Sequence, residues 1–401
     1  MITEKAPDPR HPGRCRWQRP GLAAAVLATA MAAVQAQPVA PGADDVVVMQ
    51  LPAQNRDPLL RSAARAAALT TEQRIALARR HLWQAGQRGD PRDLGRAGQL
   101  LGGAELRSDV RAGLLRAGLL QARHEFEPAL ALLDTLLKRD PQLAEAWFMR
   151  AGILRVRGEL SSALAACTRA HQLQPRAESA LCAADLAQLG GQPALHAQWM
   201  DTWRASGRAA ATSRPWTELV LAEMAARQGR DSDAARHYRR SLADAGVVAL
   251  DSHARWLTLT GQADRVSVMI QAFFPDLDQT PDALLLRRVL AARATGSIGP
   301  EQAADAELAA RFAEADRLGI ETHHRERAEW LLLVRDEPEP AFRHAMLNWH
   351  EGQRETPDLL ILVRSARAAG REAPLRMVRD FIDRNAYSDP QVTRLFEEEL
   401  G

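Results

Sequence analysis

A repeat of 34 residues constrains this chain more than any other feature of its sequence. Self-similarity at a period of about 20 to 50 residues is typical of stacked units, each of which buries its apolar face only against its neighbours. The period therefore predicts an array of repeats instead of the two or three globular domains that 401 residues would otherwise suggest. Between residues 110 and 177, three pairs recur at this distance: Ala117 and Ala151, Ala129 and Ala163, Pro141 and Pro175.

The composition favours helices and argues against a nucleic-acid partner. Alanine, leucine and arginine dominate the sequence, and all three are strong helix formers. Apolar residues make up 46% of the chain and aromatic residues 5%, which is enough to fill the seams of a helical array. The net charge is +2 with both signs interspersed, so the chain lacks the basic patch expected of a nucleic-acid binder.

The first 36 residues have the pattern of a secretory signal peptide. Residues 1–21 are basic, and an apolar run follows from Leu22 to Val34, interrupted only by Thr29. Val34 and Ala36 occupy the two positions that define a cleavage site after Ala36. The run is shorter than the roughly 20 apolar residues that span a bilayer. We therefore expect a periplasmic or secreted protein without a stable membrane span; an uncleaved anchor is the alternative.

Three further segments follow the predicted signal peptide. Residues 37–69 contain Pro38, Pro41, Pro52 and Pro58, and we interpret them as a linker with room for one short strand. Residues 70–281 are predicted to form helix pairs. Residues 282–401 keep apolar residues at helical spacing but lose the regular period, which predicts irregular helical repeats that end in a capping helix.

The unit from Ala144 to Ala177 resembles the tetratricopeptide repeat, or TPR, and the chain is similar to exported bacterial proteins of that family. The resemblance implies an all-α fold, a right-handed superhelical solenoid of antiparallel helix pairs. His124 stands where the preceding unit would have the turn glycine. The residues that match the family at repeat positions 4, 8, 11, 15, 20, 27 and 32 are Trp147, Ala151, Leu154, Gly158, Ala163, Ala170 and Pro175.

The resemblance also implies a binding surface. In such proteins the first helix of each repeat lines a concave groove, and repeat positions 2, 5, 9, 12 and 13 face it. A mixture of arginine, glutamate and apolar side chains there suits an extended or helical peptide. The partner-binding residues implied in this way are Arg111, Leu114, Gln121, Glu145, Phe148, Arg155, Trp216, Glu223 and Arg227.

No catalytic residue, cofactor motif or metal motif stands out in the sequence. Phosphate loops, nucleophile elbows and the His-Glu-x-x-His pattern are absent from it. The strongest cluster combines two histidines with three glutamates, but helical spacing does not align Glu326 and Glu329 with His324. We interpret it as a solvated helix face; a metal site or enzyme within residues 282–401 is the alternative. The cluster comprises Glu321, His323, His324, Glu326 and Glu329.

Cys167 and Cys182 are the only cysteines after residue 36. They lie symmetrically about the predicted loop at residues 173–176, so an antiparallel helix pair would place them at the same level. An oxidising compartment would permit a disulfide. The family register opposes it, because it assigns Cys182 to position 5, facing the groove, and Cys167 to position 24, facing a helix seam. A disulfide and buried free thiols therefore both stay open.

The leading functional hypothesis is a non-enzymatic exported scaffold or adaptor that binds a protein or peptide partner in its concave groove. A cell-envelope or polysaccharide assembly module is the alternative, since exposed tryptophans can also stack on sugars. We expect no cofactor and no nucleic-acid partner. The sequence does not indicate the identity of the partner or the oligomeric state.

Overall fold

The structure is a computed structural model that describes residues 69–206, 215–244, 246–297, 299–319 and 323–397. The predicted signal peptide, and all but the last residue of the predicted linker, lie outside the described residues. Both segments therefore stay predictions.

Nineteen α-helices, and no strand, make up the regular structure of the described residues beyond short 3-10 turns. They form nine pairs of a first and a second helix, which confirms the all-α solenoid of antiparallel helix pairs. In the described part of the chain, no helix is long and apolar enough to cross a membrane. The pairs are α1 (Thr71–Arg88) with α2 (Pro91–Leu101), α3 (Val110–Ala122) with α4 (Phe126–Arg139), α5 (Ala144–Val156) with α6 (Leu160–Leu173), α7 (Ala177–Leu189) with α8 (Pro193–Ala205), α9 (Pro215–Arg227) with α10 (Asp231–Ser241), α11 (Val247–Leu259) with α12 (Val266–Phe273), α13 (Asp282–Thr295) with α14 (Gln302–Leu318), α15 (His324–Leu333) with α16 (Pro338–His350), and α17 (Thr356–Ala368) with α18 (Glu372–Asn385), followed by the single helix α19 (Pro390–Glu397).

Local sequence sets the helix ends of the first pair. The N–H of Gln73 donates to the hydroxyl of Thr70 at 3.3 Å, and the N–H of Thr70 donates to the side-chain oxygen of Gln73 at 2.9 Å. This capping box satisfies two of the backbone donors that a helix start leaves unpaired. Helix α1 ends at the left-handed Gly89, and the side chain of Asp90 then caps α2.

The turn inside each repeat requires a residue with positive φ. Gly158 supplies it in the clearest repeat with φ 69°, and His124 adopts φ 60° at the same place one repeat earlier. A left-handed non-glycine residue costs about 1 to 2 kcal/mol. Stacking of His124 on Phe126, with ring centroids 5.7 Å apart, offsets part of this cost. The next turn glycine is Gly191, only 33 residues after Gly158, so that repeat is one residue short of the family period.

Later repeats pack directly against earlier ones, an arrangement that the repeat pattern does not predict. One continuous core contains buried side chains from α3 to α7 and from α15 to α19. Two backbone hydrogen bonds join these regions: the N–H of Arg354 donates to the carbonyl of Val156 at 2.8 Å, and the N–H of Ser388 donates to that of Leu189 at 2.6 Å. Loops from the last repeats therefore satisfy carbonyls at the ends of α5 and α7.

The interpretation of the His323 cluster as a solvated helix face is wrong. His324, Glu326 and Glu329 are only 3%, 7% and 4% exposed. Their helix, α15, packs against α13, α16 and α17, which covers it on several sides. Spacing within one helix could not reveal this, because the covering helices come from other repeats. Glu321 lies outside the described residues, within which no group of His, Cys, Asp and Glu side chains has a geometry that could hold a metal ion.

Candidate partner-binding groove

The first helices α3, α5 and α9 present the residues that the family resemblance implies for the groove. Most of these residues fall into two groups according to their place along the helices. Near the helix starts lies the groove entrance, defined by Arg111, Glu145, Phe148 and Trp216. Further along, Arg155, Glu223 and Arg227 meet Asp185 of α7 and Glu355, two carboxylates that the resemblance does not imply. These five side chains define the charged floor.

Phe148 and Trp216 form an aromatic pair at the groove entrance. Their ring centroids are 6.0 Å apart and their planes are inclined by 76°, the edge-to-face arrangement that aromatic quadrupoles favour. Trp216 is 42% exposed and Phe148 is half-buried. The two side chains come from α5 and α9, which are separated along the array by α7. Curvature of the array thus brings them together and leaves an apolar surface open to solvent.

Charged side chains lie at or beside the starts of α1, α3 and α5. The guanidinium of Arg111 forms a bidentate ion pair with Glu72, in which Nη1 donates to Oε2 and Nη2 to Oε1, each at 2.8 Å. Its Nη2 also donates to Oδ2 of Asp109 at 2.8 Å. Both carboxylates therefore neutralise Arg111. Glu145 is exposed on the first turn of α5, where a carboxylate also stabilises the helix dipole.

Asp185 of α7 is the centre of the charged floor. Its Oδ2 accepts a hydrogen bond from Nε of Arg155 at 2.8 Å, and its Oδ1 accepts one from Arg227. Arg155 also pairs with Glu355, just before α17, and its Nη2 lies 3.6 Å from Glu223. The far end of the groove is therefore filled by the chain's own ion pairs. Arg155, Glu223 and Arg227 stay predicted partner-binding residues, and each already lies in an ion pair of the chain itself.

Burial and ion pairing together shift the pKa values of the side chains in the charged floor. Burial alone would lower the pKa of the Arg155 guanidinium, but Asp185, Glu355 and Glu223 outweigh burial and hold that pKa well above its usual value. Burial would raise the pKa of Asp185, but Arg227 and Arg155 lower it below its usual value. Burial raises the pKa of Glu223 because its cations only partly offset the loss of solvent.

Two other groove candidates, Leu114 and Gln121, belong to neither group. Leu114 is buried in the core shared by the early and late repeats, so it does not face an open groove. Gln121 is half-buried at the end of α3, beside Gly152 of α5. Neither side chain joins the exposed aromatic surface.

A second group of buried charges, the inner network, continues along the first helices α11, α13 and α15. Arg255 contacts Asp251 and Glu329, each at 2.8 Å. Nε of Arg287 lies 3.1 Å from Asp251, and its guanidinium also pairs with Glu329. Glu329 of the sequence-predicted histidine cluster thus pairs with two arginines. On α15, Nη2 of Arg325 forms a further ion pair with Oε1 of Glu326 at 2.7 Å.

The structure joins Cys167 of α6 and Cys182 of α7 in a disulfide, with Cα atoms 6.1 Å apart. The register argument against this bond placed Cys182 at repeat position 5. Because the repeat is one residue short, counting back from the left-handed Gly191 places Cys182 at position 6 instead. One residue turns a helical side chain by about 100°, which takes Cys182 away from the groove and toward α6. Formation of the bond in solution stays a prediction.

Sequence reasoning missed Asp185 and Glu355, two of the three carboxylates that pair with Arg155 in the floor. A signal for Asp185 was present, since it is the only charged residue of α7 after Glu178 in the first turn. An isolated carboxylate on a largely apolar helix requires a buried partner. Glu355 carried no such signal, because nothing local indicates that the last repeats pack against the third and fourth.

No protein-family model matches the chain, and no curated protein matches it. Several solved structures are similar to it. One is PilW, described as a widely conserved type IV pilus biogenesis factor, with 22% identity, a TM-score of 0.39, and coverage of 52% of this chain and 95% of PilW. Another is a tetratricopeptide repeat protein from Parabacteroides merdae ATCC 43184, with 13% identity, a TM-score of 0.37, and coverage of 73% and 99%.

A third similar structure is the human IFIT1 dimer with m7Gppp-AAAA, with 13% identity, a TM-score of 0.45, and coverage of 74% of this chain and 79% of that one. These likenesses carry no argument about function. The helix pairs and their turns define the class: the chain is a TPR-like α-solenoid. The absence of a nucleic-acid partner rests on charge alone and stays a prediction.

Proposed function

We propose that this chain is a non-enzymatic, exported scaffold or adaptor that binds a protein or peptide partner at its groove entrance. The observation that carries the proposal is the Phe148–Trp216 pair. It combines an exposed tryptophan on α9 with a half-buried phenylalanine on α5. Large aromatic side chains at the centre of an interface commonly contribute about 2 kcal/mol or more to binding.

The charged floor supports the entrance as the binding surface. Its arginines and carboxylates already pair with one another, and a partner that entered there would have to break buried ion pairs, at a cost of about 3 to 5 kcal/mol for each uncompensated charge. The entrance requires no such displacement. A surface held rigid by its surroundings also binds with a smaller loss of conformational entropy.

The buried charges support a non-enzymatic role. Perturbed pKa values are most informative about catalysis when the groups line an open cleft. Here Asp185, Glu329 and Asp251 face arginines inside the packed array, and each is at most partly accessible. Their perturbed pKa values follow from structural ion pairs.

Capture from a cell-envelope extract tests the proposal. The double variant Phe148→Ala, Trp216→Ala should lose the captured partner while its far-UV circular dichroism stays unchanged, because neither side chain is fully buried. Trp83→Ala is the matched control, since Trp83 is 54% exposed on α1. Undiminished capture by the double variant, or equal loss in the control, would contradict a binding surface at the entrance.

A further inference from the structure

Three carboxylates, Glu72, Asp109 and Glu145, lie at or beside the starts of α1, α3 and α5, and Arg111 pairs with two of them. Glu72 and Asp109 both contact Arg111, so this group has one carboxylate more than it has cations. Glu145 adds a second excess carboxylate, because no hydrogen bond or ion pair with a described residue engages it. Glu178 stands at the equivalent first turn of α7, and the exposed Arg176 precedes it.

The unpaired carboxylate and the aromatic pair share one surface. Glu145 and Phe148 are three residues apart on α5, so their side chains lie on the same face of the helix. Trp216 contacts Phe148 from α9 with ring centroids 6.0 Å apart. An occupant of the entrance would therefore meet a carboxylate about one helical turn from Phe148, and the exposed indole that contacts Phe148.

Charge complementarity identifies the kind of occupant. Arginine and lysine bind carboxylates through charge-assisted hydrogen bonds, and their cations are also attracted to the face of tryptophan. A phosphorylated, acidic or nucleic-acid ligand would instead bring its own negative charge beside Glu145 and Glu72. A large apolar side chain next to the cation would cover Phe148.

We propose that the partner segment recognised at the groove entrance is a cationic peptide in which arginine or lysine flanks a large apolar residue. This inference rests on the proposed function and specifies its partner. Glu145 is the specificity-determining residue, and Trp216 with Phe148 forms the apolar contact. Exposed charge pairs are individually weak, so the preference for a cationic over an anionic peptide should be about tenfold for two to three pairs.

Two sets of short fluorescein-labelled peptides test the inference by fluorescence anisotropy. Both sets vary a central residue over Leu, Ile, Phe and Trp; one set is flanked by arginines and the other by glutamates. The full-length mature protein should bind the arginine-flanked set about tenfold more tightly, and added NaCl should weaken that binding. Glu145→Lys should reduce the preference by about threefold or more, whereas Glu337→Lys, on an exposed residue before α16, should not.

The outcomes separate this inference from the function on which it rests. If both peptide sets bind equally well and Trp216→Ala abolishes this binding, the cationic preference is overturned but the groove entrance is still supported as the binding surface. Tighter binding of the glutamate-flanked set, or no binding of any arginine-flanked peptide, also overturns the preference. Arginine-flanked binding that persists in Trp216→Ala and in Glu145→Lys contradicts both proposals.

Discussion

Arg155 donates from Nε to Oδ2 of Asp185 across 2.8 Å, and this contact joins the first helices of two adjacent repeats. Arg227, on the first helix of the following repeat, donates to the other oxygen of the same carboxylate. One carboxylate that is 3% exposed thus lies between two guanidinium groups. The concave side of these repeats is therefore stabilised by internal ion pairs, and its most exposed side chains lie at the entrance.

Asp185→Ala should destabilise the fold by about 3 to 5 kcal/mol, because it leaves two buried or half-buried arginines without their shared acceptor. Urea unfolding followed by far-UV circular dichroism measures the change in the free energy of unfolding. Glu145→Gln is the matched control, since it removes an exposed carboxylate and should cost less than about 0.5 kcal/mol. A loss below about 1 kcal/mol for Asp185→Ala would show that the floor contributes little to stability.

Gly158→Ala should be more destabilising than Gly229→Ala, although both glycines have similar positive φ values of 69° and 67°. A Cβ at Gly158 would stand 3.0 Å from Cβ of Arg354 and still closer to the ring of Phe381, whereas a Cβ at Gly229 would meet nothing within 4 Å. The left-handed backbone costs each variant about 1 kcal/mol. The added clash should cost Gly158→Ala about 1 to 3 kcal/mol more.

Comparison of the two variants by urea unfolding isolates the contact between early and late repeats. Both variants lose the same free energy of unfolding to the left-handed backbone. The difference between their free energies of unfolding therefore measures the packing of Phe381 and Arg354 on the turn. Equal losses of stability would mean that the last repeats do not press on Gly158 in solution.

The helix pairs could be predicted from the sequence because their signals are local. The 34-residue spacing, Gly158 at the turn and Pro175 after the second helix each act within one repeat. The packing of Arg354 and Phe381 on Gly158 could not be predicted in this way. It depends on small rotations between successive repeats that add up along the array, and no single repeat encodes their sum.

The dependence on how successive repeats stack also explains which contacts of the candidate site could not be predicted. Phe148 and Trp216 were predicted as groove residues from their repeat positions, but their mutual contact required the curvature of the array. Asp185 was missed because the repeat after Gly158 is one residue short. That single residue shifts Asp185 to groove position 9 and shifts Cys182 out of position 5.

Stability should fall as the pH decreases from about 6.5 to about 4. Burial, aided by Arg239, lowers the pKa of His253 from 6.5 to about 4. Burial, aided by Arg327 and His324, lowers that of His344 to about 4 as well. Between these values the unfolded chain binds protons that the folded chain does not, so the stability present above pH 6.5 is lost progressively on acidification.

Thermal unfolding at a series of pH values measures this effect, which should be on the order of 2 kcal/mol in total because His344 is only partly buried. His253→Phe keeps an aromatic ring against Tyr238, whose ring lies 4.8 Å from that of His253, and it should reduce the slope. His350→Gln, at an exposed helix end, is the matched control substitution. A melting temperature that is constant across this range would contradict the prediction.

Export should remove the predicted signal peptide, so that the mature chain begins at Gln37. N-terminal sequencing of the protein from the extracytoplasmic fraction measures the new terminus. Ala36→Leu should block processing because signal peptidases require a small residue before the cleaved bond. Recovery of the unprocessed chain in the cytoplasmic fraction alone would contradict export.

The disulfide between Cys167 and Cys182 should be present in the exported protein. Alkylation under denaturing, non-reducing conditions should then detect no free thiol in the mature chain, because these are its only cysteines. The bond closes a loop with a sequence separation of 15, for which the loss of chain entropy in the unfolded state corresponds to about 3 kcal/mol.

The double variant Cys167→Ala, Cys182→Ala separates the bond from its packing. Both alanines fit helices α6 and α7, so the variant should fold, unfold at a lower urea concentration than the oxidised protein, and no longer respond to a reducing agent. The oxidised protein should lose a similar amount of stability on reduction. Two alkylated thiols in the native exported chain would contradict the disulfide and would show that Cys167 and Cys182 are free thiols.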